Sequence, residues 1–212
     1  MNLISTIDQY IANFLFSLRT DTLNQFIILL TNPGMVMGTL LVSVYLFFRK
    51  KTLLISLGVI AASLSVEIAF LLKELFKIPR PYLLWEDFLP VTLASGHYSF
   101  PSMHAAFVFS LIQVIKQTNE KWLHKSWIIF ATLIAFTRIY LGVHTLSDII
   151  FGAVVGYSIS LLVCKLDSKY NLLNSFFHHI RNTFEFRRQI VHTITGIGII
   201  VLIRLKRKLA MY

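Results

Sequence analysis

The sequence predicts an all-α fold: a polytopic transmembrane bundle of about five or six helices with an interfacial N-terminal helix. Three observations carry this expectation. Of 212 residues, 56% are apolar and only 14% charged, and mean hydropathy is +0.69; soluble domains average about 45–50% apolar and about 25% charged. Apolar runs approaching the ~20 residues that span a bilayer core recur along the chain. The cations behind the net charge of +10 sit chiefly between those runs, where they set orientation and meet lipid headgroups.

Residues from about Ser5 to Leu18 read as an amphipathic helix with Ile7, Ile11, Phe14 and Leu18 on one stripe. It is too polar to span and is expected in the interface. Asp21 is a candidate cap for the next helix. Asn24 to Phe48 is apolar but interrupted by Asn32-Pro33-Gly34, either a kink or a boundary between an interfacial and a spanning helix. Arg49-Lys50-Lys51 ends it, and Thr52 to Leu72 is the clearest span. Glu67 within it reads as a polar contact between helices. Residues 77–100 form a loop with Pro79, Pro81 and Pro90, and Pro101 suits the start of a helix reaching about Ile115. A basic loop follows, then Trp127 to Phe136, which spans only by drawing on its neighbours. Leu146 to Cys164 is another span, with Gly152 and Gly156 as a small-residue packing face.

The remainder, residues 166–212, is a basic tail with a short apolar helix at Ile190–Ile203, set apart from a membrane-embedded domain at 1–165. Fourteen residues reach about 21 Å, short of a core about 30 Å thick, so this helix is expected to lie along or dip into the cytoplasmic leaflet and to take no part in catalysis. The N-terminus lacks a basic n-region, so no cleaved signal peptide is expected. A single cysteine, Cys164, rules out an intrachain disulfide. No nucleic-acid-binding motif accompanies the basic charge, and no nucleic acid partner is expected.

Span counting puts Arg49-Lys50-Lys51, Lys116/Lys121/Lys125 and Lys165/Lys169 on one side of the membrane. Lys73, Arg80, Ser102, His104, Arg138 and His144 fall on the other. The positive-inside bias makes the first side cytoplasmic, and the second the non-cytoplasmic face. His144 and Asp148, four apart at a helix start, share a face. A carboxylate on one ring nitrogen fixes the tautomer and leaves the other to attack. Ser102-Met103-His104 opens an apolar helix whose first amides favour a phosphate oxygen, and a protonated His104 suits a general acid. Lys73, Arg80 and Arg138 match an anion. Read singly, each feature has a plain structural alternative: a capped His–Asp pair, an N-cap serine, snorkelling cations. A zinc site of His104, His144 and Asp148 is disfavoured by the three cations. His97 is expected to be a loop residue near the substrate. The set together suits a phosphate ester and a phosphohistidine intermediate.

These residues resemble the type 2 phosphatidic acid phosphatase superfamily, whose pattern is K-x6-R-P, then P-S-G-H, then S-R-x5-H-x3-D. The chain supplies Lys73, Arg80 and Pro81; Pro101, Ser102 and His104; and Arg138, His144 and Asp148. Met103 stands in place of glycine, keeping the backbone amide that binds phosphate, and Thr137 replaces serine. The resemblance implies a lipid phosphate or diphosphate as substrate, an isoprenyl diphosphate such as undecaprenyl diphosphate or a phosphatidyl phosphate. It implies His144 as nucleophile, Asp148 orienting it, and His104 protonating the leaving group. Lys73, Arg80, Ser102, Met103 and Arg138 would hold phosphate, with no metal or other cofactor. A lipid phosphotransferase and a non-catalytic membrane protein with a degenerate site are the alternatives. The tail, Glu185-Phe186-Arg187-Arg188 with His192 and Gly196, resembles the opening of CTP-dependent polyprenol or dolichol kinases.

Overall fold

The computed structural model describes residues 3–85, 89–92, 96–173 and 175. The chain divides into two compact units, Met1–Lys169 and Tyr170–Tyr212. The tail features from Glu185 to Ile203 lie outside the described residues.

Eight helices account for the regular structure of the described residues: α1 Leu3–Ser17, α2 Asp21–Phe48, α3 Thr52–Phe76, α4 Pro81–Leu84, α5 Met103–Ser110, α6 Ile112–Lys116, α7 Lys121–Tyr140 and α8 Leu146–Tyr170. Three of them, α2, α3 and α8, are long and apolar enough to cross a membrane. The protein is an integral membrane protein, and its outward side chains fit that solvent. Leu41, Phe47, Val59, Leu71, Phe151 and Val154 are all more than half exposed on these helices, which lipid tolerates and water does not. Helix α7 extends the Trp127–Phe136 run on both sides to 20 residues, about 30 Å. Helices α5 and α6 form one apolar rod with a break at Leu111.

Several local expectations are corrected. The cap of α2 is Thr20, whose hydroxyl accepts from the Leu23 amide, while Asp21 is the first helical residue. Helix α2 runs without interruption through Pro33; in a spanning helix, neighbours can satisfy the carbonyl that a proline frees. Helix α5 begins at Met103, two residues after Pro101, with Ser102 as its N-cap. Glu67 is exposed. On α1 the inward side is Asp8 and Ala12 with Ile11 and Leu15 beside them, so Ile11 leaves the predicted stripe while Ile7, Phe14 and Leu18 keep it and face outward. That outward apolar face is where an interfacial helix meets lipid.

Side-chain bonds fix which ends meet. Tyr45 donates to Glu120, Arg49 lies 3.5 Å from the same carboxylate, and Lys51 donates to the Thr118 carbonyl at 2.6 Å. The α2–α3 and α6–α7 turns are therefore at one end of the bundle. The other end gathers the C-termini of α3 and α7 and the N-termini of α5 and α8. Helix α8 is pressed onto α5 there: a Cβ added at Gly152 would lie 2.4 Å from the Ser102 carbonyl, and one at Gly156 2.1 Å from that of Ala106. The small-residue face thus holds two polypeptide backbones in contact.

Candidate active site

Each predicted residue is displayed by an identifiable local device. Helix α7 ends at Tyr140 in a Schellman turn: the Gly142 amide donates to Ile139 and the Val143 amide to Arg138. Gly142 has φ +79°, a conformation suited to glycine. The turn brings Arg138, in the last turn of α7, next to His144. Thr145 and Asp148 then form a reciprocal capping box. The Asp148 amide donates to Thr145 Oγ1 at 3.3 Å, and the Thr145 amide donates to Asp148 Oδ2 at 2.9 Å. His144 Nδ1 lies 3.2 Å from that same Oδ2. The Ser102 amide donates to the Asp148 carbonyl at 3.0 Å, stitching the start of α5 to α8.

Each of the three cations donates to neutral acceptors. Lys73 Nζ donates to the carbonyls of Ser99 and Tyr98 at 2.7 and 3.2 Å. Arg80 donates from Nε to Gly96 and from Nη1 to Val143, both at 2.9 Å. Arg138 Nη1 donates to Thr31 Oγ1 at 3.1 Å, while its Nε is buried without a hydrogen-bond partner. Carbonyls and hydroxyls orient these groups without cancelling their charge. An orphan buried guanidinium N–H is costly unless an acceptor arrives. Burial draws the Arg80 guanidinium below its usual pKa.

Lys73, Arg80, Met103, His104, Arg138 and His144 line one cavity of about 720 Å³. Asp148 and Ser102 stand behind its wall, Asp148 against His144 and Ser102 as the cap of α5, its Oγ accepting from the Ala105 amide at 3.4 Å. His97 lines the same cavity. His144 is only 3% exposed. Burial, working against the upward pull of Asp148, holds its imidazole at a pKa of about 4, so it is neutral near pH 7. No group of three or more His, Cys, Asp or Glu among the described residues is placed to hold a metal ion.

The sequence reading did not place Thr31 and Asn32 here. Thr31 is buried and accepts from both Arg138 and Thr137, and Asn32 Oδ1 lies 2.8 Å from His104 Nε2. The available signal was a Thr-Asn pair inside an otherwise apolar run; Asn32 entered only as part of the Asn32-Pro33-Gly34 interruption, and Thr31 not at all.

A spanning helical bundle that ends in a cationic cavity with two histidines defines a class of membrane proteins built to receive an anionic group at the membrane edge. The comparisons make the assignment specific. The model of the PAP2 superfamily matches residues 51–171, and the chain belongs to that superfamily. It is 30% identical over 151 residues to an undecaprenyl-diphosphatase of Sulfolobus acidocaldarius, covering 69% of this chain and 72% of the relative. It is 27% identical to phosphatidylglycerophosphatase B of Bacillus subtilis, covering 79% and 87%. Among solved structures, Aquifex aeolicus LpxE superposes with a TM-score of 0.67 at 24% identity, covering 78% of this chain and 99% of that one. A PAP2-type phosphatidylglycerolphosphate phosphatase from Bacillus subtilis gives 0.66 at 22%, covering 80% and 88%. These two share the fold.

Proposed function

We propose that this protein is a membrane lipid phosphatase that hydrolyses a lipid phosphate or diphosphate through a phosphohistidine on His144. The observation that carries the reading is the cavity itself: Lys73, Arg80 and Arg138 converge on it around two histidines, and one of these is backed by a carboxylate. The named relatives are lipid phosphatases, which supports the same reaction class.

In this reading the phosphoryl oxygens sit among Lys73, Arg80, Arg138 and the first amides of α5. His144 Nε2 attacks phosphorus while Asp148, on Nδ1, fixes the tautomer and offsets the charge that develops on the ring. His104 gives its proton to the leaving oxygen and then takes one from the water that releases phosphate. The three cations are worth most as negative charge shifts during transfer, in a site sheltered from bulk water.

A second cavity supports a lipid substrate. It measures about 470 Å³, lies between α2, α3 and α5–α6, and is lined largely by apolar residues such as Val42, Leu46, Val59 and Leu111. A hydrocarbon chain fits such a lining. Undecaprenyl diphosphate is the favoured substrate, because the relative from Sulfolobus acidocaldarius is an undecaprenyl-diphosphatase. The basic turns at Arg49–Lys51 and Lys116–Lys125 lie at the opposite end of the bundle, so the positive-inside bias puts the site on the non-cytoplasmic face of the cell membrane. Residues 1–165 form the catalytic domain in this reading, and 166–212 are dispensable for turnover.

The test is release of inorganic phosphate by detergent-solubilised protein from a panel of lipid phosphates and diphosphates. Turnover that resists EDTA and falls with vanadate supports the proposal. Transfer of the phosphoryl group to an alcohol acceptor with no phosphate release would favour the phosphotransferase alternative, to which Met103 in the glycine position also points.

A further inference from the structure

Helix α2 lies outside the stretch that matches the PAP2 superfamily, which begins at residue 51, yet one of its turns reaches the cavity twice. Thr31 and Asn32 are a polar pair in an apolar helix of 28 residues; Thr31 is buried, where an unbonded hydroxyl costs desolvation, and Asn32 is exposed and lines the cavity. Both have partners, and both partners are candidate site residues. Thr31 Oγ1 accepts a hydrogen bond from Arg138 Nη1, and Asn32 Oδ1 lies 2.8 Å from Nε2 of His104. Both residues also line the cavity.

We infer that Asn32 is a positioning residue for proton transfer, acting through His104; this rests on the phosphohistidine reading above. In this mechanism the nitrogen that Asn32 touches is the one whose proton passes to the leaving oxygen. In its charged form His104 carries protons on both ring nitrogens, and the amide oxygen of Asn32 accepts the one on Nε2. In the first step His144 Nε2 bonds to phosphorus and the bond from phosphorus to the leaving oxygen breaks. The electron pair stays on that oxygen, which takes the Nε2 proton. His104 is then neutral, protonated on Nδ1 alone, with a bare lone pair at Nε2. A half-turn of the amide presents the Asn32 NH2 to that lone pair. In the second step a water gives its proton to His104 Nε2 as its oxygen bonds to phosphorus. The phosphorus–nitrogen bond breaks, and its electron pair returns to His144. An amide serves both protonation states of His104 because it is donor and acceptor at once. A carboxylate only accepts, and an alkyl group does neither.

The experiment compares Asn32→Leu, Asn32→Asp, His104→Ala and His144→Ala with the unaltered full-length protein. Two substrates are used: an alkyl phosphate, whose alcohol must be protonated to leave, and p-nitrophenyl phosphate, whose phenolate leaves with little help. Asn32→Leu should lower kcat on the alkyl phosphate by about tenfold or more, with KM little changed and turnover of p-nitrophenyl phosphate nearly kept, a selectivity shared by His104→Ala. Asn32→Asp puts a negative charge beside Nε2 and should shift the alkaline limb of kcat to higher pH. Equal losses on both substrates, or no loss, together with an unmoved alkaline limb, overturn the role of Asn32. Provided His144→Ala is inactive on both substrates, that result leaves the proposed function standing. An active His144→Ala sinks the proposed function, and this inference with it.

Discussion

Asp148 Oδ2 is shared: it accepts from the Thr145 amide at 2.9 Å and lies 3.2 Å from His144 Nδ1. One carboxylate oxygen therefore caps α8 and orients the histidine beside it. Asp148→Asn retains a polar side chain of the same shape but can present an N–H to His144 Nδ1, favouring the wrong tautomer. Turnover should fall roughly 10²–10⁴-fold with KM much less affected, by analogy with the serine-protease triad. Steady-state kinetics checks this, and a fall of less than threefold would dissociate Asp148 from the chemistry.

Acid should act on His144 in a defined window. Its folded-state pKa is about 4, whereas a histidine in the unfolded chain titrates near ~6.5. Between these values the unfolded state binds the extra proton, so stability falls as pH drops from about 6.5 toward 4. His144→Gln lacks this titration. The wild-type unfolding midpoint should therefore drop more than that of the variant between pH 7 and pH 4.5. Parallel behaviour of the two proteins would contradict the buried, neutral histidine.

Helix α8 meets α5 backbone to backbone. With 2.1 Å between an added Cβ at Gly156 and the Ala106 carbonyl, Gly156→Ala must push α5 away, together with Met103 and His104 at its start. Overpacking of this kind costs about 1–3 kcal/mol. Folded yield and thermal midpoint should both drop. Gly34→Ala, whose Cβ would find its nearest neighbours at 3.4 Å, should be tolerated and serves as the comparison.

Asp8 connects the N-terminal helix to the same region. It is buried, and its two oxygens accept from the Ser147 amide at 2.9 Å and the Ser147 hydroxyl at 2.6 Å. Asp8→Ala leaves both donors without their partner, worth about 1–3 kcal/mol. It should lower the unfolding midpoint and loosen the start of α8; Asp8→Asn should recover part of the loss.

How much of this could be read beforehand follows from the range of each interaction. His144 and Asp148 sit within one turn, so their spacing made the histidine–carboxylate pair legible, while the role of Thr145 in capping α8 was not read. Lys73 with Arg80, and Arg138 with His144, were likewise readable as two short motifs at the ends of apolar runs. Asn32 and His104 are 72 residues apart, and Asp8 and Ser147 139 apart. Nothing local distinguishes such contacts from a kink or a surface stripe. At Pro33 the sequence left a kink or a helix boundary open, and the boundary is excluded because α2 continues through it. On α1 the outward stripe of Ile7, Phe14 and Leu18 was legible but the buried side at Asp8 and Ala12 was not, because a helix between lipid and protein is apolar on both sides and periodicity does not say which one packs.

The most direct test of the central claim is to trap the intermediate. Protein mixed with a ³²P-labelled lipid phosphate and quenched within one turnover should carry label that is stable in alkali and released by acid, as a phosphoramidate is. The label should be absent from His144→Ala, and the modified residue should map to position 144. Steady phosphate release with no trapped label, or label that persists in His144→Ala, would contradict the account.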